Sequence, residues 1–575
     1  MILRRKKMKK NAVVPIALAA LILLGASGGK KDGSVTYTET VHGYNGDMVV
    51  EVDITGKKTI DAIRIVSDHE SSPVKKRAFP IIISRILKAQ TPQVDSVSAA
   101  SFSSYSIKSA VAAALKKAGT DVGPVAFKSG DTGKRKDLPA VHKKILIVGS
   151  GPAGEAAAIS AVESGVAAKD ILIIEKAGIT GGNGKFDMVL FYHAASLAQK
   201  KIGREDSAAK LLETRKKTAW DSEARLAAET NMTVKMDDWY RKMGIDLNYV
   251  FEYRDHMAES NAYAGEEILD GLEKCIASLG IETRTETAAY DFIMKGNRLA
   301  GMKVKHKNEY YDITADAVII ATGGFCQNPA LLEKYTPAGT AKLRSSNQIG
   351  ATGDMVPLFE KHGFQLGHMD KTVVFGFMIS RGRELTGERV APQKYDYILV
   401  NKNGERFTNE LVAYGLARGL DIFKQEGKNC WMIFDQGMVD FSFRIGDHIK
   451  KGLGVKADTM EALAEKIGVN KGNFVKTVND YNRAAAGEIE DALRKKQPSR
   501  PFNAAGPYYA LNIESAIHMT KGGVVCNENA QCLDAGGAVI PGAYAAGEVT
   551  DTSANFSAAL IFGRIAGAQA AKDIL

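Results

Sequence analysis

Three glycines, Gly149, Gly151 and Gly154, stand in G-x-G-x-x-G spacing between the apolar run Ile145–Val148 and an alanine-rich stretch. A carboxylate, Glu175, follows about twenty residues later, at the end of a second apolar run, Ile171–Ile174. This set can hold a dinucleotide. The first glycine permits a tight turn, the second, two residues before Ala153, lets backbone approach a pyrophosphate, and the third lets the next helix pack closely on the strand. Phosphate then sits at the helix N-terminus. Glu175 can accept from a ribose hydroxyl, which favours an unphosphorylated adenosine ribose, as in FAD or NAD.

The continuation separates the two cofactors. Lys176 and Gly181-Gly182-Asn183 follow Glu175 directly, and two further glycine patches come far downstream, Ala321-Thr322-Gly323-Gly324-Phe325 and Gly542-Ala543-Tyr544-Ala545-Ala546-Gly547-Glu548. Together they resemble the fumarate reductase and succinate dehydrogenase flavoprotein superfamily, in its soluble, single-chain, flavocytochrome-c-like branch. The resemblance spans residues 143–575. It implies noncovalent FAD held by Gly149, Gly151, Ala153, Gly154, Glu175, Lys176, Gly182, Asn183, Ala321, Thr322, Gly323, Asp354, Gly547, Glu548, Ala558 and Leu560.

The resemblance also implies a reaction: hydride passes from the flavin to one carbon of an alkene conjugated to a carbonyl, and an acid protonates the other. In fumarate reductases of this family an Arg of the clamp domain is the acid, and two His with another Arg hold the carboxylates. Only part of that set is found here. His518 and Thr520 keep the H-x-T-x-G-G pattern, but Gln348 stands where a His is expected. Gln393 and Lys394, beside Tyr395 and Tyr397, occupy the acid Arg position, and Asn555–Leu560 contains no Arg. A bidentate Arg–carboxylate bond is charge-assisted and geometrically specific, so losing two arginines disfavours a dicarboxylate such as fumarate. Tyr249, Phe251, Tyr253, Tyr395, Tyr397 and Phe556 favour a larger, less charged acceptor, an enone or aryl-acrylate.

Lys394 or Tyr395 is then expected to donate the proton, while Arg381, Arg383 and Arg389 lie close enough in sequence to supply an Arg instead. Glu360, Lys361 and His362 read as an exposed helix face rather than a proton path, and Asn401–Glu410 as a structural strand-turn motif.

A second module precedes the first. Val35–Val41, Met48–Ile54 and Thr59–Ser67 alternate as strands, with turn signals at Asn45-Gly46 and Gly56-Lys57, and helices are predicted over Lys75–Lys88 and Ser106–Ala118. The stretch Asp95–Ser104 between them resembles the D-x-x-S-G-A-[ST]-x-[ST] motif of small FMN-binding domains on exported flavin reductases. That resemblance makes Ser101 the hydroxyl that takes covalent FMN as a phosphoester from a flavin transferase, with Asp95 and Ser98 as motif partners. Ala99 departs from the usual glycine, at a cost of about 1 kcal/mol if φ must be positive. Without a cofactor, the same loop reads as a serine-rich cap at Ser106.

The elements that position these sites follow. Ala208–Thr230 is amphipathic, and Gly265–Leu279 is a helix. Thr283–Ile293, Leu299–His306 and Glu309–Thr314 form a meander ahead of a buried strand, Ala317–Ala321. The chain therefore divides into a signal or anchor segment (1–32), the FMN-binding domain (33–122), a polar linker (123–142), the FAD-binding domain (143–342 and 520–575) and a clamp domain (343–519). The fold class is α/β: a Rossmann-like FAD-binding domain with an inserted α+β clamp (capping) domain, preceded by a small α+β FMN-binding domain.

The basic prelude Met1–Lys10 and the apolar run Ala12–Gly28 read as an export signal, with no cysteine for lipidation. The protein is accordingly expected outside the cytoplasm, meeting a membrane or surface electron donor. Five cysteines include no C-x-x-C, so neither haem attachment nor an iron–sulfur site is expected, and no residue set suggests a metal. Cys526 and Cys532 flank a turn and read as structural thiols. The net charge of +10 lacks a basic stripe with interleaved aromatics, which excludes nucleic acid as a partner. The function that results is electron flow from covalent FMN through FAD to an activated C=C bond. Its alternatives are a ketosteroid-type dehydrogenase running oxidatively, and an electron-transfer protein without alkene chemistry.

Overall fold

The computed structural model describes residues 33–126, 133–259, 263–379, 397–410, 416–450, 452–494, 500–553 and 555–575. The expected segment 1–32 and residues Lys394 and Tyr395, with Gln393, Arg381, Arg383 and Arg389, lie outside them.

The N-terminal module is an antiparallel meander of β1 (Ser34–His42), β2 (Asp47–Thr55) and β3 (Thr59–Ser67) under two helices, α1 (Ser72–Ala89) and α2 (Ser101–Lys117). Strand alternation makes the core: Met48, Val50, Val52 and Ile54 of β2 are fully buried against Ile82 and Ile86 of α1 and Ile107 and Val111 of α2. Helix α2 starts five residues earlier than its sequence pattern indicates. Ser106 is therefore no cap; it lies inside the helix, and its hydroxyl donates to the carbonyl of His42 at 2.6 Å. The turn before α2 is closed by Ser104, whose Oγ accepts the N–H of Val97 at 3.1 Å.

The central domain is built on a nine-stranded mixed sheet. β4 (Lys136–Asp137) joins its edge, β5 (Val141–Val148) leads into α3 (Pro152–Glu163), and β6 (Ile171–Ile174) pairs with β5 in parallel, Ile147 opposite Ile173. Helix Ala264–Leu279 follows, and Glu282–Arg284 extends the parallel sheet beyond β6. The expected break between Glu309–Thr314 and Ala317–Ala321 is absent: Glu309–Ile320 is one strand. Its first half pairs antiparallel with Arg298–His306, and its second half sits between β5 and Val539–Ala545, both parallel to it. Neither glycine nor proline interrupts Thr314–Ala317, so meander and core sheet are continuous. The expected strand Thr283–Ile293 is in fact two, Glu282–Arg284 and Thr287–Lys295.

The C-terminus returns to the first βαβ unit. Helix Phe556–Ile574 lies along α3, and Cβ atoms at Gly563 or Gly567 would collide with the carbonyl oxygens of Ala153 and Ala157. Two helix backbones can approach this closely only through residues without side chains.

Between the two halves, a six-stranded sheet forms around one long strand, Tyr508–Thr520, paired on its flanks with Arg344–Ser345, Thr372–Ile379, Asn429–Asp435 and Gly454–Ala457. Within the stretch 343–519 assigned to the clamp, Leu358 and Phe359 pack instead with Leu146 and Ile320 of the central sheet. Asn401–Glu410 stabilises the clamp interior. Glu410, buried, accepts from Arg406, Arg494 and the N–H of Leu399, while Arg406 also pairs with Asp491 at 2.8 Å. Among the described residues no helix is long and apolar enough to cross a membrane.

Candidate flavin sites and the pocket between them

A pocket of about 1260 Å³, part of it open to solvent, runs along the C-terminal ends of β5, β6 and Glu309–Ile320. Gly149 makes the turn out of β5 at φ +107°, where a Cβ would strike the carbonyl oxygen of Ala321. Gly154 lies beneath that turn, its missing Cβ occupied by the carbonyl of Gly149, whereas Gly151 faces the cavity with only the Cα of Gly182 within 4 Å of a built Cβ. One glycine bends the chain, one lets the helix close on it, and one leaves space for a ligand at the helix N-terminus.

Glu175, Lys176, Gly182, Asn183, Ala153, Ala321, Thr322, Gly323, Asp354, Gly547, Glu548 and Ala558 all line this pocket with Gly149 and Gly151. Leu560 does not; it is fully buried in the core beside α3. The Glu175 carboxylate is held in place before any ligand arrives, accepting from the Ser150 N–H at 3.0 Å and the Ala177 N–H at 2.8 Å. Lys176 pairs with Asp354 at 2.6 Å. Two buried polar atoms on the wall, Oγ1 of Thr322 and Oδ1 of Asn555, have no hydrogen-bond partner. Buried polar groups are ordinarily satisfied, so these two point to a polar ligand spanning the cavity, as FAD would.

The opposite end is delivered by the last residues of strand Tyr508–Thr520. Thr520 gives its N–H to Glu548 Oε1 at 2.9 Å, and its hydroxyl lies 3.2 Å from the same oxygen. Burial pushes the Glu548 carboxyl up to about 7. His518, half-buried, is not among the residues that line this wall: Nδ1 is 2.8 Å from Ser346 Oγ, its carbonyl accepts from Asn347 at 2.6 Å, and the ring of Phe375 stacks on it at 4.1 Å. Gln348 lines the pocket and takes a hydrogen bond from buried Lys185 at 3.2 Å.

Several sequence-based expectations are redirected. Tyr397 is buried in the clamp core, its hydroxyl donating to the Glu410 carbonyl, and Tyr249 and Tyr253 are exposed on a surface hairpin. Glu360 engages Lys334 and Tyr335, and Lys361 engages Asp291, all away from the pocket. Cys526 and Cys532 face each other as free thiols across an antiparallel bridge, sulfurs 3.9 Å apart. Phe556 does line the cavity, with Met519, Lys521, Thr550 and Thr552, none of the latter four anticipated. Lys521 is the unspecified position within H-x-T-x-G-G, which is why a pattern match passed over it. Among the described residues the cations on the wall are Lys176 and Lys521, and no arginine joins them.

The small module presents a separate site. Ala99 adopts φ +70°, the conformation the motif's glycine would take, and Ser101 becomes the first residue of α2, where the helix N-terminus favours a phosphate. Asp95 pairs with Lys307 of the central sheet at 2.7 Å, and the Ser98 carbonyl accepts the N–H of Gly178 at 3.2 Å. This loop therefore lies on the turn that follows Glu175. Arg77 bridges Asp270 and Glu273, Lys76 pairs with Glu266, Arg85 pairs with Glu286, and Ile179 enters the small module's core. The described parts of the linker are docked too: Lys108 holds the Ala126 carbonyl at 2.8 Å and β4 is part of the sheet.

A pocket lined by the glycine turn, Glu175 and the C-terminal glycine patch, in contact with a module of this kind, defines a protein with two flavin sites. Residues 144–560 match the FAD binding domain family and residues 43–116 match the FMN-binding domain. The chain is 28% identical over 553 residues to the NADH:fumarate oxidoreductase of Klebsiella pneumoniae, covering 93% of this chain but 58% of that protein's length. It is 28% identical over 591 residues to the urocanate reductase of Eggerthella lenta, covering 95% of this chain and 93% of that one. In structure it is similar to the open conformation of a flavocytochrome c3 fumarate reductase, with TM-score 0.68, 28% identity and coverage of 76% of this chain and 79% of the other. The chain belongs to the fumarate-reductase-like FAD flavoproteins that also carry an FMN-binding domain. FAD and FMN are its cofactors.

Proposed function

We propose that the protein is an exported ene-reductase: electrons enter at FMN esterified to Ser101 by a flavin transferase, pass to FAD, and reduce the activated C=C bond of an α,β-unsaturated carbonyl acceptor other than fumarate. Bound FAD supplies the hydride. The chain's own residues hold the dinucleotide between Glu175 and Thr520, orient His518 through Ser346, and close the acceptor end with Phe556, Thr552 and Lys521. The observation that carries the substrate class is the absence, among the described residues, of any arginine on the pocket wall. Among those residues a dicarboxylate finds no bidentate partner of the kind that makes its recognition specific. The relatives named above act, by their names, on fumarate and on urocanate, so the fold accommodates more than one unsaturated acid. A membrane or surface donor outside the cytoplasm reduces the small module.

The test is anaerobic. The reduced two-flavin protein is mixed with fumarate, urocanate, a cinnamate and a steroid-like enone in parallel, and flavin reoxidation is followed. Rapid reoxidation by one of the last three with fumarate inert supports the reading. Rapid reoxidation by fumarate overturns the substrate class, and inertness to all four leaves electron transfer alone as the activity.

A further inference from the structure

Lys521 occupies an unusual place. It is 8% exposed, it lines the acceptor end of the pocket, and its position is fixed by backbone on both sides, Lys521 N–H to the Lys371 carbonyl at 2.9 Å and Thr552 N–H to the Lys521 carbonyl at 3.1 Å. Its Nζ reaches the Ser553 carbonyl at 3.4 Å. Ser553 in turn donates its N–H and its hydroxyl to Asp221, and Arg215 donates to the Ser553 hydroxyl at 3.0 Å. A file of polar groups thus runs from the pocket into the wall behind it. Glu548, the other titratable group at this end, is wedged between Thr520 and Gly324 and committed to Thr520.

We propose, resting on the ene-reductase reading above, that Lys521 is the catalytic acid: it gives the proton that completes reduction of the acceptor. Once hydride has arrived at one alkene carbon, the π electron pair resides on the other. That pair forms the new C–H bond as an N–H bond of the Lys521 ammonium breaks, the nitrogen keeping its electrons as a neutral amine. The neutral amine is then reprotonated from solvent. The charges facing the ammonium are Glu548, Asp221, Glu229 and Arg215, with the Asp551–His368 pair beside Thr552. Burial outweighs the attraction of the three carboxylates and lowers the ammonium to about 8. An acid with that pKa is far better matched to neutral pH than an ordinary lysine.

Two measurements on the two-flavin protein decide it. Competitive acetylation with acetic anhydride across the pH range, read by peptide mass spectrometry, should half-label Lys521 near pH 8, well below an ordinary surface lysine. Single-turnover reoxidation by the acceptor found active above should slow on the order of 100-fold or more in Lys521→Arg, which keeps the charge as a far weaker acid than the buried ammonium, and in Lys521→Met. The Arg variant should retain acceptor affinity while the Met variant loses it, and the wild-type rate should fall as pH rises through about 8, a limb missing from both variants. Labelling like a surface lysine, or an Arg variant within threefold of wild type, overturns Lys521 as the acid while the ene-reductase reading stands. A wild type that no alkene reoxidises overturns both.

Discussion

The amide of Gly178 and the carbonyl of Ser98 meet at 3.2 Å across the boundary between the two flavin modules. A Cβ at Gly178 would lie 2.8 Å from the Ser98 nitrogen and 2.9 Å from a methyl of Val97. Gly178→Ala therefore forces the attachment loop away from the turn after Glu175. We expect a loss of about 1–3 kcal/mol at this contact and slower FMN-to-FAD electron transfer in stopped flow, with FAD content unchanged.

Ala99 holds φ +70° on the loop before Ser101. Ala99→Gly should raise the stability of the small module by about 1 kcal/mol, since glycine reaches this conformation without a Cβ clash. Urea denaturation checks the gain. Ser101→Ala should leave a folded chain from which acid precipitation releases all flavin, with no FMN-bearing peptide by mass spectrometry.

Glu548 carries a pH signature. Its carboxyl is raised from 4.5 to about 7 in the folded chain, so the folded state binds this proton more tightly than the unfolded one. Stability contributed by the protonated form is full below about 4.5 and is lost as pH rises towards 7, above which it is flat. The whole shift corresponds to at most about 3 kcal/mol. Glu548→Gln should remove this slope in the FAD-free chain, measured as the difference in urea midpoint between pH 5 and pH 8.

Glu410 is buried between Arg406 and Arg494 inside the clamp. Removing one partner of a buried ionic network leaves charge uncompensated, at about 3–5 kcal/mol. Glu410→Ala should make the clamp the first region cut in limited proteolysis, while the absorbance of bound FAD persists.

The parts of this molecule that the sequence makes legible are those in which chemistry and chain order coincide. Gly149, Gly151 and Gly154 with Glu175 lie within one βαβ unit, so type and spacing state the geometry directly. The meander of the small module was equally readable because the apolar residues Met48, Val50, Val52 and Ile54 of β2 recur every second position on the core face. Lys521 was not readable in this way: its neighbours come from two distant stretches, Arg215 with Asp221 and Ser553, and only the fold brings them together. The start of α2 was misplaced because serine suits both a cap and a first turn, and the backbone at Ala99 decided between them. Strand Glu309–Ile320 was divided because its partners change halfway along, an event without any mark in the sequence.

The ion pairs of Arg77, Lys76, Arg85 and Lys307 make the small module a fixture of the FAD domain rather than a tethered shuttle. A fixed separation turns the passage of electrons between the flavins into a first-order event with one tunnelling distance, indifferent to solvent viscosity and to how dilute the enzyme is. Under the proposed function, what remains bimolecular is the meeting with the electron donor. Tyr44 and Phe102, with rings 6.1 Å apart, are exposed on the small module beside Ser101.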